Sequence, residues 1–241
     1  MTEHGKNHIE ILQDQLDGLV PLKFTAPVTH VYNPLDYARA PFERYLERYG
    51  NPPREILMVG MNPGPWGMLQ TGIPFGEINA VRDWLEIEGR VGAPVDPHPK
   101  RPVLGMACGR SEVSGKRLWG WARERFGTPD GFFRRFLVLN YCPLAFFDAD
   151  GRNLTPDKLS APQRNPLLDA CDRALVDWVA CYRPRHVIGI GRFAADRAAS
   201  VLTGQPVAVG RVTHPSPANP RANKGWDRCV TAELGQMGIV I

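Results

Sequence analysis

Apolar residues form four short uninterrupted runs along the chain, and three of these runs lead into loops rich in glycine, proline and asparagine. An uninterrupted apolar run indicates a strand that is covered on both faces, which is typical of parallel sheets. We therefore predict four strands, at residues 56–59, 136–139, 186–190 and 207–212.

Between these runs, apolar residues recur at the spacing of amphipathic helices. The predicted helices cover residues 1–25, 37–49, 79–88, 116–126, 162–182 and 193–202. Since strands and helices alternate, right-handed crossovers would place helices on both faces of a four-stranded, mostly parallel sheet. The 241 residues fit one α/β domain, in which residues 1–25 form an N-terminal helical extension.

The composition is that of a folded globular protein, with 43 % hydrophobic and 22 % charged residues. These values exclude a disordered chain, a collagen-like fibre and a coiled coil. The formal net charge of +4 is by itself only a weak indication of a polyanionic partner. The sequence contains no apolar stretch of roughly 18 residues, so we predict no membrane span and no membrane partner.

The cysteines and histidines lack the spacing of a metal site. The five cysteines contain no C-x-x-C pair, which argues against a zinc ribbon or an iron–sulfur cluster. The paired H-x-E and P-C-x-x-C signature of zinc-dependent base deaminases is also absent. We therefore predict that the protein binds no metal ion.

Polar side chains follow three of the four predicted strands. Asn62 lies after the first strand, Asn140 after the second and His214 after the last. Open α/β sheets bind their ligands beyond the carboxyl ends of the strands. If the strands are parallel, these three residues meet at one crevice, although a lone histidine is more often a satisfied core residue.

A proline-rich, basic segment surrounds His214. Residues 213–226 read THPSPANPRANKGW, and the basic residues of this region are Arg211, Arg221, Lys224 and Arg228. A stiff basic loop suits contacts with phosphate groups, and its tip could push between bases. Taken alone, the segment is more typical of a solvated turn that leads into the last helix.

Two further features have a structural and a functional interpretation. Gly189 and Gly191 follow a strand and open a helix, which is the minimal dinucleotide-binding pattern. The acidic residue expected at the ribose position is missing, so we interpret the glycines as sites of close helix–strand packing. Phe75 lies in the loop 71–76 (TGIPFG), where an aromatic ring could stack on a flat heterocycle.

Taken together, these motifs resemble the single-strand-selective monofunctional uracil-DNA glycosylase family, within the uracil-DNA glycosylase superfamily. The matching segments occur in the family's order and span most of the chain, at residues 60–85, 98–120, 140–146, 151–156 and 214–226. The resemblance implies a three-layer α/β/α sandwich. It also implies hydrolysis of the N-glycosidic bond of uracil, and of 5-modified uracils such as 5-hydroxymethyluracil, without a cofactor or a lyase step.

The resemblance assigns two catalytic residues, Asn62 and His214. Cleavage leaves positive charge on the sugar and negative charge on the departing uracil. A histidine that donates to uracil O2 would stabilise the departing base. An asparagine cannot abstract a proton as a carboxylate does, but its amide can hold a water molecule below the anomeric carbon.

The resemblance also assigns base-binding residues. Asn140 matches the asparagine that reads the uracil edge, and Phe75 matches the aromatic residue that stacks on the base. Met61 would supply a backbone contact, while the segment from Gly64 to Met68 would line the space around uracil C5. Because Gly64 has no side chain, it would leave room there for a substituent.

The segment 215–224, here called the wedge loop, matches the loop that the family inserts into DNA. Its candidate contact residues are Pro215, Ser216, Pro217, Ala218, Asn219, Arg221 and Lys224. The chain departs from the family pattern at Trp66, where phenylalanine is usual. It also departs at Ala218, where the vertebrate pattern has arginine, so the side chain that fills the gap left by a flipped base stays open.

We therefore expect a monomeric enzyme whose partner is uracil-containing DNA, either single- or double-stranded. Such a protein would be cytoplasmic and nucleoid-associated in a bacterium, or nuclear in a eukaryote. Two alternatives stay open at this point: a non-catalytic module that binds damaged DNA, and a Rossmann-like nucleotide-binding enzyme built on Gly189 and Gly191.

Overall fold

The computed structural model describes residues 6–241. Its helices are α1 (His8–Leu19), α2 (Pro34–Tyr37), α3 (Arg39–Tyr49), α4 (Met68–Thr71), α5 (Ile78–Asp83), α6 (Val113–Phe126), α7 (Pro129–Phe133), α8 (Ala161–Tyr182), α9 (Arg192–Val201) and α10 (Trp226–Gln236). Its strands are β1 (His30–Tyr32), β2 (Ile56–Gly60), β3 (Phe136–Asn140), β4 (Ala145–Phe147), β5 (Asn153–Leu154), β6 (His186–Ile190) and β7 (Ala208–Val212).

The central sheet has four strands in the order β3-β2-β6-β7, and every pairing is parallel. The four strands coincide with the four apolar runs of the sequence, to within one or two residues at their ends. All five residues of β2 are buried, as an inner strand with both faces covered requires. The predicted sheet is confirmed, and it is entirely parallel.

Helices cover the sheet in two groups. In one group, α9 packs on β6 and β7, while α8 packs against both α9 and α1. In the other, α6 packs against α5, α7 and α10, and α7 contacts β3. This arrangement is the three-layer α/β/α sandwich that the resemblance implied. None of the helices within residues 6–241 is long and apolar enough to cross a bilayer.

A second, antiparallel sheet in the order β1-β4-β5 was not predicted. Its strands have only three, three and two residues, which is too short for a recognisable period of apolar positions. The sheet matters for function because the segment from β5 onwards carries Asn153 and Thr155 to the same end of the molecule as Asn140.

The N-terminal helix is shorter than the predicted range 1–25. Residues 1–5 lie outside the described part of the chain, α1 begins at His8, and Asn7 and Glu10 form a reciprocal capping box at its start. The helix ends at Leu19: Val20 still has helical dihedral angles, but Pro21 has no N–H with which to continue the helical hydrogen bonds. Ile11 and Leu12 are buried in the main core, so α1 is an integral part of that core.

The predicted helix 79–88 is also wrong in its extent, since α5 ends at Asp83. After it, Leu85 and Ile87 are buried in the core, and the intervening Glu86 has a left-handed backbone with φ of 50°. The hydroxyl of Tyr49 donates to the carbonyl of Leu85 at 2.8 Å. Alternate burial of two apolar residues thus replaces the last helical turn.

Candidate active site

The three polar residues at the strand ends line one cavity. Asn62 follows β2, Asn140 ends β3 and His214 lies two residues after β7. The cavity has a volume of about 360 Å³, which is enough for a pyrimidine. Its lining residues are Met61, Asn62, Pro63, Gly64, Phe75, Glu112, Ser114, Asn140, Asn153, Thr155, His214 and Ser216.

The side chain of Asn140 carries an unused hydrogen-bond acceptor. Its Oδ1 is buried and has no partner within residues 6–241. Its Nδ2 lies 3.0 Å from the thioether sulfur of Met68, which is a weak acceptor. Met68 is buried behind Asn140 and does not itself line the cavity. Because leaving a buried polar group unpaired costs roughly 1–3 kcal/mol, the site is suited to a ligand that supplies a donor.

Gly60 allows Asn140 and Phe75 to come together. A Cβ atom at Gly60 would lie 2.4 Å from Asn140 Oδ1 and 2.6 Å from Cε2 of Phe75, both of which are impossible contacts. Gly60 pairs with Asn140 across β2 and β3, so the glycine lies directly beside the carboxamide. A side chain at this position would collide with both the carboxamide and the aromatic ring, so both would have to move.

Phe75 is held in an unfavourable backbone conformation by several contacts. Its φ of 54° is left-handed, which is rare for an aromatic residue. Its carbonyl accepts hydrogen bonds from Nε1 of Trp119 at 3.0 Å and from the N–H of Glu77 at 2.7 Å. A Cβ at Gly115 would lie 1.9 Å from the same carbonyl. Helix α6 therefore fixes the ring at the cavity, 6.0 Å from the imidazole of His214 between centroids.

His214 is neutral at physiological pH and its tautomer is set by the backbone. Burial lowers its pKa from 6.5 to about 4. The N–H of Ser216 donates to Nδ1 at 3.1 Å, so the proton of the neutral ring is on Nε2. Gly191, with φ of 92°, provides the space for the ring, since a Cβ there would lie 3.1 Å from the Cβ of His214.

The side chain of Asn62 is oriented by the backbone of another strand-end loop. Its Nδ2 donates to the carbonyl of Leu144, just before β4, at 3.3 Å. This contact leaves Oδ1 as the free acceptor of a residue that lines the cavity. The geometry suits an amide that orients a water molecule.

A carboxyl group in the cavity was not anticipated from the sequence. Glu112 lies immediately before α6 and lines the cavity beside Gly64. Burial raises its pKa to about 7, with a further contribution from the nearby carboxylate of Glu77, while the Ser114 hydroxyl opposes the shift. Glu112 was missed because a single acidic residue before a helix has no distinctive spacing. Ser114, Asn153 and Thr155 were also missed, because isolated polar residues have no distinctive spacing either.

The wedge loop is held by hydrogen bonds within itself. The N–H of Ala218 donates to Oγ of Ser216 at 3.1 Å, and Nδ2 of Asn219 donates to the carbonyl of His214 at 3.2 Å. Ser216 lines the cavity, whereas Pro217 and Ala218 are exposed at the tip. Pro215 is buried, and its ring anchors the start of the loop.

Arg117 of α6 ties the wedge loop to the body of the protein. Its Nη1 donates to the carbonyls of Pro215 at 2.9 Å and of Ser216 at 3.4 Å. Its Nη2 donates to Oδ1 of Asn223 at 2.8 Å. Sequence reasoning missed Arg117, because a basic residue on an amphipathic helix normally belongs to its solvated face.

The two basic candidates of the wedge loop have different environments. Arg221 pairs with Glu233 of α10 at 3.1 Å, and the same carboxylate accepts from the N–H and the hydroxyl of Thr213 at 2.7 Å each. Arg221 is thus engaged with the protein. Lys224 is exposed and makes no ion pair with any residue that the structure describes.

The glycines of the dinucleotide-like pattern serve packing. A Cβ at Gly189 would lie 2.2 Å from the backbone nitrogen of Ala195 in α9, and Gly191 makes room for His214.

Trp66 lies outside the cavity, with the guanidinium groups of Arg110 and Arg101 at 4.3 and 5.4 Å from its ring. No group of three potential metal ligands occurs within residues 6–241.

Comparisons with known proteins agree with this geometry. Residues 47–232 match the model of the uracil DNA glycosylase superfamily. The chain is 50% identical over 224 residues to the single-strand selective monofunctional uracil-DNA glycosylase of Rattus norvegicus, an alignment that covers 92% of this chain and 81% of the relative. For the enzyme of Mus musculus the identity is also 50%, over 92% of this chain and 80% of the relative.

A solved structure shows the same fold at low identity. The crystal structure of SMUG2 from Pedobacter heparinus superposes with a TM-score of 0.67, covering 95% of this chain and 97% of that chain at 16% identity. Similarity over nearly the whole chain, together with the match to the superfamily model, decides the assignment. The chain belongs to the single-strand selective monofunctional uracil-DNA glycosylase family, within the uracil DNA glycosylase superfamily.

Proposed function

We propose that this protein is a monofunctional DNA repair glycosylase that hydrolyses the N-glycosidic bond of uracil in DNA. The observation that carries the proposal is the buried Oδ1 of Asn140, which has no hydrogen-bond partner among residues 6–241. Asn140 packs with Phe75 against Gly60, at the cavity that Asn62 and His214 also line. The names of the relatives point to the same activity. The alternative of a nucleotide-binding enzyme has less support because Gly189 and Gly191 serve packing. The alternative of a non-catalytic DNA-binding module has less support because the relatives are named as glycosylases.

Asn140 distinguishes uracil from cytosine by hydrogen-bond polarity. Uracil has an N–H donor at N3, and Asn140 Oδ1 is a buried acceptor without a partner among the described residues. Cytosine has a lone pair at N3, so it would leave the oxygen unpaired and place two acceptors against each other. A site built around such a pair strongly rejects the mismatched analogue.

His214 stabilises the departing uracil as a neutral hydrogen-bond donor. Since Nδ1 accepts from Ser216, Nε2 carries the proton and can donate to uracil O2 as negative charge develops there. The low pKa keeps the ring neutral at physiological pH. The donor is therefore in place before the bond breaks and needs no proton from solution.

Asn62 orients the attacking water molecule. Its Nδ2 is engaged by Leu144, so Oδ1 accepts a hydrogen bond from water and aims it at the anomeric carbon. The contribution is positioning rather than strong base catalysis. With the leaving group stabilised, a well-placed water is a sufficient nucleophile for an oxocarbenium-like sugar.

The target nucleotide reaches the cavity by leaving the base stack. The wedge loop stands beside His214 and is braced by Arg117, so it can occupy the space that the base vacates. We extend the proposal to single- and double-stranded DNA and to 5-modified uracils such as 5-hydroxymethyluracil.

The test is release of uracil from a defined oligonucleotide, followed by alkali. The wild type should give strand breaks only after alkali, since a monofunctional enzyme leaves an intact abasic strand. Asn62→Ala and His214→Ala should each lower the single-turnover rate by roughly a hundredfold, whereas Asn51→Ala, at an exposed loop position, should not. Binding without strand breaks would refute the enzymatic proposal and favour a damage-binding module.

A further inference from the structure

The wall of the cavity at Gly64 is formed by a carboxyl group. A Cβ at Gly64 would lie 3.3 Å from Oε1 of Glu112, and a Cβ at Gly67 would lie 2.4 Å from Oε2. The two glycines of the loop after β2 thus provide the space that the Glu112 side chain occupies. The room next to Gly64 is polar rather than empty.

The contacts of Glu112 and Met68 place Glu112 on the same side of the cavity as Asn140. Glu112 Oε2 abuts Gly67, the next residue Met68 contacts Asn140 through its sulfur, and Asn140 reads the base. His214 lies beside Gly191, at the end of β6. Around the uracil ring, O2 is followed by N3, C4 with its O4, and then C5. With O2 at His214 and N3–H at Asn140, C5 lies on the side of Asn140, away from His214.

We propose that the Glu112 carboxyl hydrogen-bonds a polar substituent at C5 of the extruded uracil, such as the hydroxyl of a hydroxymethyl group, and so excludes thymine. This inference rests on the proposed glycosylase function and makes Glu112 a residue that determines specificity. 5-Hydroxymethyluracil and thymine differ by a single hydroxyl. The methyl group of thymine would lie against the half-buried carboxyl and offer it no hydrogen-bond partner, which is unfavourable for a polar group removed from water.

The surroundings of Glu112 fit this role. The carboxyl lies among few polar groups: the Ser114 hydroxyl and the backbone N–H groups of Ser114 and Gly115 are next to it, and Glu77 is the nearby carboxylate. With a pKa of about 7, Glu112 is protonated in part at neutral pH. It can therefore donate to a carbonyl-type substituent or accept from a hydroxyl.

The test compares two isosteric substituents in the wild type and in three variants. Single-turnover excision is measured for 5-hydroxymethyluracil and for 5-ethyluracil, in which a methyl group replaces the hydroxyl, with plain uracil measured in parallel. The wild type should prefer hydroxymethyl over ethyl by about tenfold or more. Glu112→Leu should abolish that preference and raise the rate on thymine, while Glu112→Gln, which keeps a donor and an acceptor, should retain most of it. Glu124→Leu, exposed on α6, is the matched control and should leave the ratio unchanged.

The outcomes separate this inference from the proposed function. If the wild type releases no uracil, the glycosylase proposal fails. If it releases uracil but treats hydroxymethyl and ethyl substituents alike, Glu112 has no role in reading C5, and this result needs no variant to fold. Equal losses on uracil and 5-hydroxymethyluracil in Glu112→Leu would likewise overturn the inference, because they would show a purely structural role.

Discussion

The backbone N–H of Ser216 donates a hydrogen bond of 3.1 Å to Nδ1 of His214. Ser216 belongs to the wedge loop, so the loop that we propose to enter DNA also sets the tautomer of the imidazole that we propose to stabilise the departing base. Arg117 in turn holds the carbonyls of Pro215 and Ser216. The position of the loop and the chemistry of the site are therefore coupled through one short hydrogen-bonded path.

We predict that Arg117→Gln weakens activity on duplex DNA more than on single strands. The variant loses bonds that hold the wedge loop, and extrusion from a duplex requires the loop most. The single-turnover rate on a U·G duplex should fall about tenfold, which corresponds to about 1.4 kcal/mol, with a change below about threefold on a single strand. Arg125→Gln removes an exposed charge from the same helix and serves as the control. Parallel losses on both substrates would contradict a role in positioning the loop.

We predict that Gly60→Ala removes activity by displacing Asn140 and Phe75 from the cavity. The new methyl group would come within 2.4 Å of Asn140 Oδ1 and 2.6 Å of Phe75, so both must move. Uracil excision should fall by roughly a hundredfold, and overpacking should cost about 1–3 kcal/mol of stability. Oligonucleotide cleavage and urea unfolding measure the two effects.

Gly120→Ala is the matched control for this substitution. Gly120 lies inside α6, and nothing is within 4 Å of an added Cβ. The replacement should stabilise the protein by about 0.5–1 kcal/mol and leave the rate unchanged. Normal excision by Gly60→Ala would show that the base does not depend on the placement of Asn140 and Phe75 beside Gly60.

We predict that Asn140→Ala separates activity from stability. The variant removes the reader of N3–H but also an oxygen that is buried without a partner in the described chain. Excision of uracil should fall by about a hundredfold or more, while the free energy of unfolding changes by less than about 1 kcal/mol. By contrast, Asn33→Ala removes the cap of α2, which should cost stability and spare activity. A large destabilisation by Asn140→Ala would mean that the amide serves the fold.

We predict that His214 makes the protein less stable in acid. Its pKa is about 4 when folded and 6.5 in an ordinary environment, so the unfolded chain takes up the proton first as pH falls. Above pH 6.5 the imidazole is neutral in both the folded and the unfolded protein, so its titration does not affect the free energy of unfolding. As pH falls from 6.5 towards 4, the free energy of unfolding declines by up to about 3 kcal/mol. Urea unfolding at several pH values should show a steeper decline for the wild type than for His214→Asn. If the stability of the wild type and of His214→Asn declines equally with falling pH, the imidazole is exposed to solvent and burial does not lower its pKa.

The main sheet was predictable because β2, β3 and β6 are nearly continuous apolar runs, as strands covered on both faces require. The edge strand β7 is different, since only Val212 of its five residues is buried. The positions of Asn62, Asn140 and His214 followed from the rule that parallel strands end at the same edge. The small antiparallel sheet was not predictable, since its two- and three-residue strands are defined by their partners. The end of α5 at Asp83 was also decided by packing, because Leu85 and Ile87 are drawn into the core.

By itself, the sequence determined the layer order of the fold, the family, and the set of strand-end residues that meet at the cavity, because these depend on local patterns and on motifs that survive in one dimension. Only the tertiary structure decided that Glu112 forms a wall of the cavity, that Gly60 lets Asn140 and Phe75 pack side by side, and that Arg117 braces the wedge loop. These roles depend on distances between segments far apart in the chain. No periodicity or motif records such distances, because they arise from how the helices pack on the sheet.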